Sequence, residues 1–174
     1  MPSSSSRAVF WWVAGLVVVL DVITKRLAVA RLASASVPVV GDWLVLRLVY
    51  NPGAAFGIHV GAYSRWVFMV LAVVALVVLG AMVKQTTPVL KFRLVTLGLV
   101  CGGAIGNLVD RITSSRGVVD FIDVWIGTFH WPTFNVADMA VSCGAIALAA
   151  VLWSEGRHEK EAAQESTNPA EAAP

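Results

Sequence analysis

LVTLGLVCGGAIGNLVDRIT, residues 94–113, decides the fold. It is apolar over nearly the ~20 residues that a helix needs to cross the hydrocarbon core of a bilayer, and then ends in polar side chains. Gly98, Gly102 and Gly106 recur every fourth residue, leaving one helix face bare enough for a neighbouring helix to pack closely. Asn107, Asp110 and Arg111 stand at i, i+3 and i+4 and so share a face near the membrane boundary. Charged groups at that depth are costly unless paired or facing water. They read either as a functional cluster or as an interfacial cap.

Outward from this stretch lie three more apolar runs of similar length, 9–30, 65–83 and 135–153. With 57% hydrophobic and 14% charged residues among 174, and a mean hydropathy of +0.76, the chain lies far outside soluble norms. The expected fold is a mainly α membrane protein in which four transmembrane helices form one domain, 1–153. The run from Val9 to Leu20, followed by Ala28, Val29 and Ala30, has the outline of a signal peptide, but Asp21, Lys25 and Arg26 interrupt it. Every glutamate lies beyond Trp153, among alanines and prolines, so 154–174 reads as a solvated, disordered tail. A net charge of +2, with the basic residues scattered, gives no stripe for nucleic acid. Cys101 and Cys143 fall inside predicted spans without Cys-x-x-Cys spacing or clustered histidines; no metal site or disulfide framework is expected, and Cys143 reads as core.

A four-span chain alternates sides, and the unusual polar residues obey that alternation. Asp21 and Lys25 end the first span, Arg65 starts the second, Asn107 to Arg111 end the third, and Asn135 with Asp138 start the fourth. Both long connections, about 31–64 and 114–134, fall on this same elaborated face. Asp21 and Lys25 are four apart in the order that favours an ion pair, either functional or a helix-end pair snorkelling to the interface. GDWLVLRLVY, 41–50, is rich in β-branched and aromatic residues and runs into Asn51-Pro52-Gly53, predicting one or two short strands and a turn. Ala54, Ala55, Phe56 and Gly57 then form either a plain loop or a surface that lets backbone approach a bound chain. Counting basic residues leaves the orientation open, six on the plain face against seven on the elaborated one.

The elaborated face also holds two aspartates in different local structures. Asp120 sits in the extended run VVDFIDVWI and Asp138 in the first turn of a helix, so the fold can bring them together at the interface. Two carboxylates a few ångströms apart do not both ionise readily, and one pKa rises until they share a proton. Such a pair supplies acid and base together, enough to activate water against an amide carbonyl. Asp123, three residues from Asp120, points to the other face of a strand. Ser64, Ser114, Ser115 and Ser142 lack a nucleophile-elbow context, and His59 and His130 read as loop residues without a partner. The rival is a small transporter or channel subunit relaying ions through Asp21, Lys25, Asp110 and Arg111, which requires polar residues to continue through the bilayer. A purely structural helical subunit leaves the aspartate segments unexplained.

Five ordered motifs carry a family likeness: Asp21 with Lys25; Asn51-Pro-Gly-Ala-Ala-Phe56; Gly102-Gly-Ala-Ile-Gly-Asn-Leu-Val-Asp-Arg111; Val118-Val-Asp-Phe121; and Trp131-Pro-Thr-Phe-Asn-Val-Ala-Asp138. Together they resemble the bacterial lipoprotein signal peptidase (signal peptidase II) family over about 9–153. The resemblance implies a cofactor-free aspartic endopeptidase of the inner membrane. It would cut prolipoproteins on the N-terminal side of a diacylglyceryl-modified cysteine, and no metal would take part. It further implies Asp120 and Asp138 as the catalytic pair, with Asn107, Arg111 and Asn135 around them. Asp21, Lys25, Asn51, Gly53 and Phe56 would form or hold the substrate site, and the β-rich loops an extracytoplasmic cradle. Both termini would be cytoplasmic, and the expected partners are the lipid-modified substrate and membrane lipid around a monomer.

Overall fold

The computed structural model describes residues 5–53, 61–87 and 90–167. Along the chain run α1 (Ser5–Arg31), β1 (Val37–Val40), β2 (Leu44–Asn51), a 3-10 turn (Gly61–Tyr63), α2 (Ser64–Gln85), α3 (Lys91–Thr113), β3 (Val118–Ile126), β4 (Phe129–Phe134) and α4 (Val136–Thr167). Three helical segments, 61–85, 91–113 and 136–158, are long and apolar enough to cross a membrane. The fourth long helix, α1, has 27 residues and carries Asp21, Lys25, Arg26 and Arg31 in its second half.

α3 is the central helix, packed against α1, α2 and α4. Its glycine stripe is the seam with α1. A Cβ on Gly102 would sit 2.8 Å from the Ala14 carbonyl oxygen, so only glycine lets the two backbones come this close. At the end of the bundle away from the sheet, Phe10, Leu79, Val83, Leu94, Leu97, Cys101 and Leu148 form one apolar cluster. α2 turns Val70, Val74, Val77 and Val78 outward, as a lipid-facing scaffold helix should.

The two long connections pair with each other. One antiparallel sheet, in the order β1-β2-β3-β4, takes two strands from each. Val119 and Phe121 of β3 seat it on Ala28 and Leu32 at the end of α1. Val49 faces Asp120 and Asn51 faces Val118, which brings the Asn51 side chain diagonally onto the Asp120 face. Both β2 and β4 carry an irregularity; in β4, Trp131 pairs with Val124 and Phe134 with Ile122, one residue more than β3 spends on the same interval.

The segment 154–174, expected as a disordered tail, is helical as far as Thr167. Alanine, glutamate, lysine and glutamine are strong helix formers, and extending an existing helix needs no new nucleus. Arg93 of α3 also holds Glu155 at 2.8 Å. The second long connection holds the expected extended run as β3 and returns through β4, forming a hairpin.

Gly117 leads into β3 with φ +106°, and a Cβ there would overlap the Asn51 carbonyl oxygen. Gly117→Ala therefore has to distort the turn that carries Asn51. We expect a loss of about 1–3 kcal/mol, read as a lower melting temperature in detergent, with reduced activity following from the displaced Asn51.

Candidate active site

Asn135 is the residue through which the two aspartates meet. It precedes the first turn of α4, where four backbone N–H groups lack helical partners. Its Oδ1 accepts the Asp138 N–H at 2.8 Å, and Asp138 Oδ2 accepts the Asn135 N–H at 3.2 Å. This reciprocal cap fixes the Asp138 side chain against the helix start. Asn135 Nδ2 then donates to Asp120 Oδ1 at 2.7 Å and to Asn107 Oδ1 at 3.1 Å, while Asn107 Nδ2 donates to Asp138 Oδ1 at 2.8 Å. Asn51 Nδ2 completes the set, donating to Asp120 Oδ2 at 3.1 Å. Three amides thus hold two carboxylates, and no cation touches either one among the described ion pairs.

The electrostatic consequence falls on Asp120, which is 2% exposed. Burial first, and the nearby Asp138 charge second, push its carboxyl up to about 7, against the opposing effect of the Asn51 and Asn135 hydrogen bonds. Asp138 is half-buried and lines a groove of about 350 Å³ between β4 and α4, with Trp131, Pro132, Thr133 and Phe134 on one wall and Met139, Ser142 and Cys143 on the other. Cys143, read as core from the sequence, is exposed in this groove. Its position on α4 shows the span but not which side of the helix faces the sheet.

Behind the carboxylates lies an ionic knot. Lys25 Nζ is 2.7 Å from Asp21 Oδ2, 2.9 Å from Asp110 Oδ2 and 2.9 Å from Asn107 Oδ1. Asp21 Oδ1 accepts the Ala137 N–H at the start of α4, 2.9 Å away, and Asp110 Oδ2 accepts the Val119 N–H of β3 at 3.0 Å. The knot therefore ties α1 and α3 to the two elements carrying Asp138 and Asp120. The snorkelling reading of Asp21 and Lys25 fails because both are buried and bonded inward, and Asp110 is tied to Lys25 and to the Val119 N–H of β3.

Arg111, expected near the two aspartates, directs its hydrogen bonds to backbone carbonyls. Its Nη2 donates to the Gly53 carbonyl at 2.9 Å and its Nη1 to the Asn107 carbonyl at 3.2 Å. It braces the turn in which Asn51 Oδ1 accepts the Gly53 N–H at 2.9 Å. Arg65, noted in sequence only for opening a span, caps the end of α3 through the Arg111 and Ile112 carbonyls at 2.6 and 3.1 Å. Phe56 and His59 lie outside the described residues.

Asp123 points away from Asp120, as strand alternation predicts. His130, expected to have no partner, holds its Nε2 2.6 Å from Asp123 Oδ1. The pairing is invisible in sequence because it needs the β3–β4 hairpin to fold first.

A helical membrane scaffold that holds two amide-bridged carboxylates beneath a small sheet, at the head of a groove, is the architecture of a membrane enzyme. Two solved structures described as bacterial membrane enzymes have this fold: one aligns with TM-score 0.74 at 30% identity, covering 87% of this chain and 92% of its own, and another with TM-score 0.72 at 30% identity, covering 82% and 91%. Residues 13–154 match the family described as Signal peptidase (SPase) II. The lipoprotein signal peptidase of Hydrogenovibrio crunogenus is 43% identical over 91% of this chain and 94% of its own, and that of Paraburkholderia phymatum 39% identical over 84% and 89%. The chain belongs to the signal peptidase II family of bacterial membrane proteases.

Proposed function

We propose that this protein is an aspartic endopeptidase that removes signal peptides from prolipoproteins, cutting before a diacylglyceryl-modified cysteine. The observation that carries the reading is the amide bridge from Asp120 through Asn135 to Asp138 at the head of the groove. Asp120 keeps a proton near neutrality. Asp138, half-buried on the groove, is then the carboxylate that draws a proton from the attacking water while Asp120 gives its proton to the carbonyl oxygen; as the resulting diol collapses, Asp138 passes the water proton to the leaving amine and a diol hydroxyl returns a proton to Asp120. Asn51, Asn107 and Asn135 keep both side chains in these rotamers, with Asp21, Lys25 and Arg111 supporting them. Gly53 and Phe56 are proposed to help form the substrate site.

A lipid-modified substrate stays in the bilayer, so its scissile bond lies near the interface. This suits four spans formed by α1, α2, α3 and the apolar part of α4, with the sheet extracytoplasmic, both termini cytoplasmic and a monomer as the working unit. The transporter reading fares worse. Below the knot, α3 contributes Leu94, Leu97, Cys101 and its glycines to the interior, and these offer no relay for ions. The test is cleavage of a diacylglyceryl-modified prolipoprotein by the purified protein in detergent, followed by gel shift beside the same substrate lacking the lipid. Cleavage of the modified form alone is expected. Failure to cleave it in several detergents and lipids would return the transporter reading.

A further inference from the structure

Asp123 is almost completely buried, 2% exposed, on the face of the sheet that turns away from the two proposed catalytic carboxylates. Four side chains converge on it. Arg47 Nη2 of β2 donates to its Oδ1 at 3.1 Å, and Thr133 Oγ1 of β4 to the same oxygen at 3.0 Å. His130 Nε2 of β4 lies 2.6 Å from Oδ1, and Trp125 Nε1 of β3 donates to Oδ2 at 3.0 Å. The Trp125 and His130 rings stack at 4.2 Å. The four side chains on this one carboxylate tie β2, β3 and β4 together.

The reason lies in β4. Between Trp131 and Phe134 the strand carries one residue more than β3 across from it, and Pro132 within that interval has no N–H to give the ladder. This weakly laddered stretch is the groove wall beside Asp138. We infer that Asp123 is a positioning residue for the substrate groove: its carboxylate replaces the missing ladder bonds, gripping Thr133 inside the bulge and His130 just before it, and so sets the distance between β4 and α4. This assignment rests on the peptidase reading above. It places Asp123 in contact with the wall and not with the reacting atoms.

The position separates binding from chemistry. Asp123→Asn keeps the shape, removes the charge and puts an amide N–H where an acceptor is needed, so the wall loosens while the Asn135 and Asn107 bonds to Asp138 stay. Hydrogen bonds to a charged group contribute enough that we expect KM for the lipid-modified prolipoprotein to rise about tenfold, with kcat within about twofold of native. Thr133→Val should raise KM in the same direction, and Thr133→Ser, which keeps the hydroxyl, should restore it. The Asp123→Asn/Thr133→Val pair should be less than additive, because both remove one bond.

Cys143 supplies a readout independent of cleavage. It faces β4 across the groove, whereas Cys101 is buried in the apolar cluster. A bulky maleimide should modify Cys143 severalfold faster in Asp123→Asn than in the native protein, with Cys101 unmodified in both. If the native protein fails to cleave but the labelling difference appears, the peptidase reading falls and the positioning role stands. If KM and labelling are both native in Asp123→Asn, or if kcat falls with KM unchanged, Asp123 does not position the wall. Should Asp123→Asn fail to fold, the Thr133→Val and Thr133→Ser pair decides by the same two measurements, native KM and labelling in Thr133→Val overturning the role.

Discussion

Asp120→Asn is expected to abolish measurable cleavage and at the same time to flatten the dependence of stability on pH. The first half follows from the proposed division of labour. Asparagine occupies the same volume but cannot deliver a proton to the carbonyl oxygen or take one back as the intermediate collapses, and removing a positioned general acid costs on the order of a hundredfold to ten-thousandfold in rate. Asp138→Asn removes the base and is expected to cost at least as much. If either variant, still folded, cleaved at the native rate, that aspartate would be structural.

The second half follows from burial. The Asp120 carboxyl moves from an ordinary value of 3.8 to about 7 on folding, because burial and the Asp138 charge disfavour its ionised form. Between those values the folded protein holds a proton that the unfolded chain releases. Its contribution to stability is therefore complete below about pH 4 and is lost as pH rises through about 7, a span of roughly three units or on the order of 4 kcal/mol. Asparagine has no proton to lose. Melting profiles in detergent should therefore show the native protein weakening relative to Asp120→Asn between pH 4 and pH 8, with the two converging in behaviour below pH 4. Parallel profiles across that window would mean that Asp120 is not held protonated. Native activity should fall over the upper part of the same window, since ionising both carboxylates removes the acid.

What the sequence made legible was local. The glycine stripe of α3, the shared face of Asn107, Asp110 and Arg111, and the opposite faces of Asp120 and Asp123 are consequences of helical and strand periodicity, and each is found in the structure. What it hid was partner choice between distant segments. Nothing local says that FHWPTF pairs with β3, since Pro132 argues against a regular strand, and without that pairing His130 has no visible partner. The same limit applies to Arg111. Nothing local says that its guanidinium meets the Gly53 carbonyl, 58 residues upstream in the turn after Asn51. The helical tail differs in kind: an alanine- and glutamate-rich segment carries no apolar stripe, so its order comes from continuity with α4 and not from packing that a periodicity reading detects.

Lys25→Met should be the most destabilising single change in the molecule that leaves the carboxylate pair itself untouched. Lys25 is 3% exposed and Asp21 is fully buried, so removing the ammonium leaves Asp21 without its countercharge at 2.7 Å and Asp110 without its partner at 2.9 Å. Breaking a buried pair from one side costs about 3–5 kcal/mol, because the remaining charge has neither water nor an ion to balance it. The loss extends into the site. Asn107 Oδ1 gives up one of its two donors, while its Nδ2 still has to hold Asp138, so the amide is free to turn and the carboxylate loses its fixed direction. Methionine fills the volume of the lysine stem, which isolates charge from packing. The double variant Asp21→Asn/Lys25→Met removes both members of the tighter pair, and the asparagine oxygen can still accept the Ala137 N–H. It should recover a substantial part of the melting temperature lost in Lys25→Met while activity stays low, since Asn107 still lacks its lysine. If the two losses simply add, the knot is not an interacting unit, and the burial of Asp21 beside Gly106 on α3 must be balanced by the helix start of α4 alone.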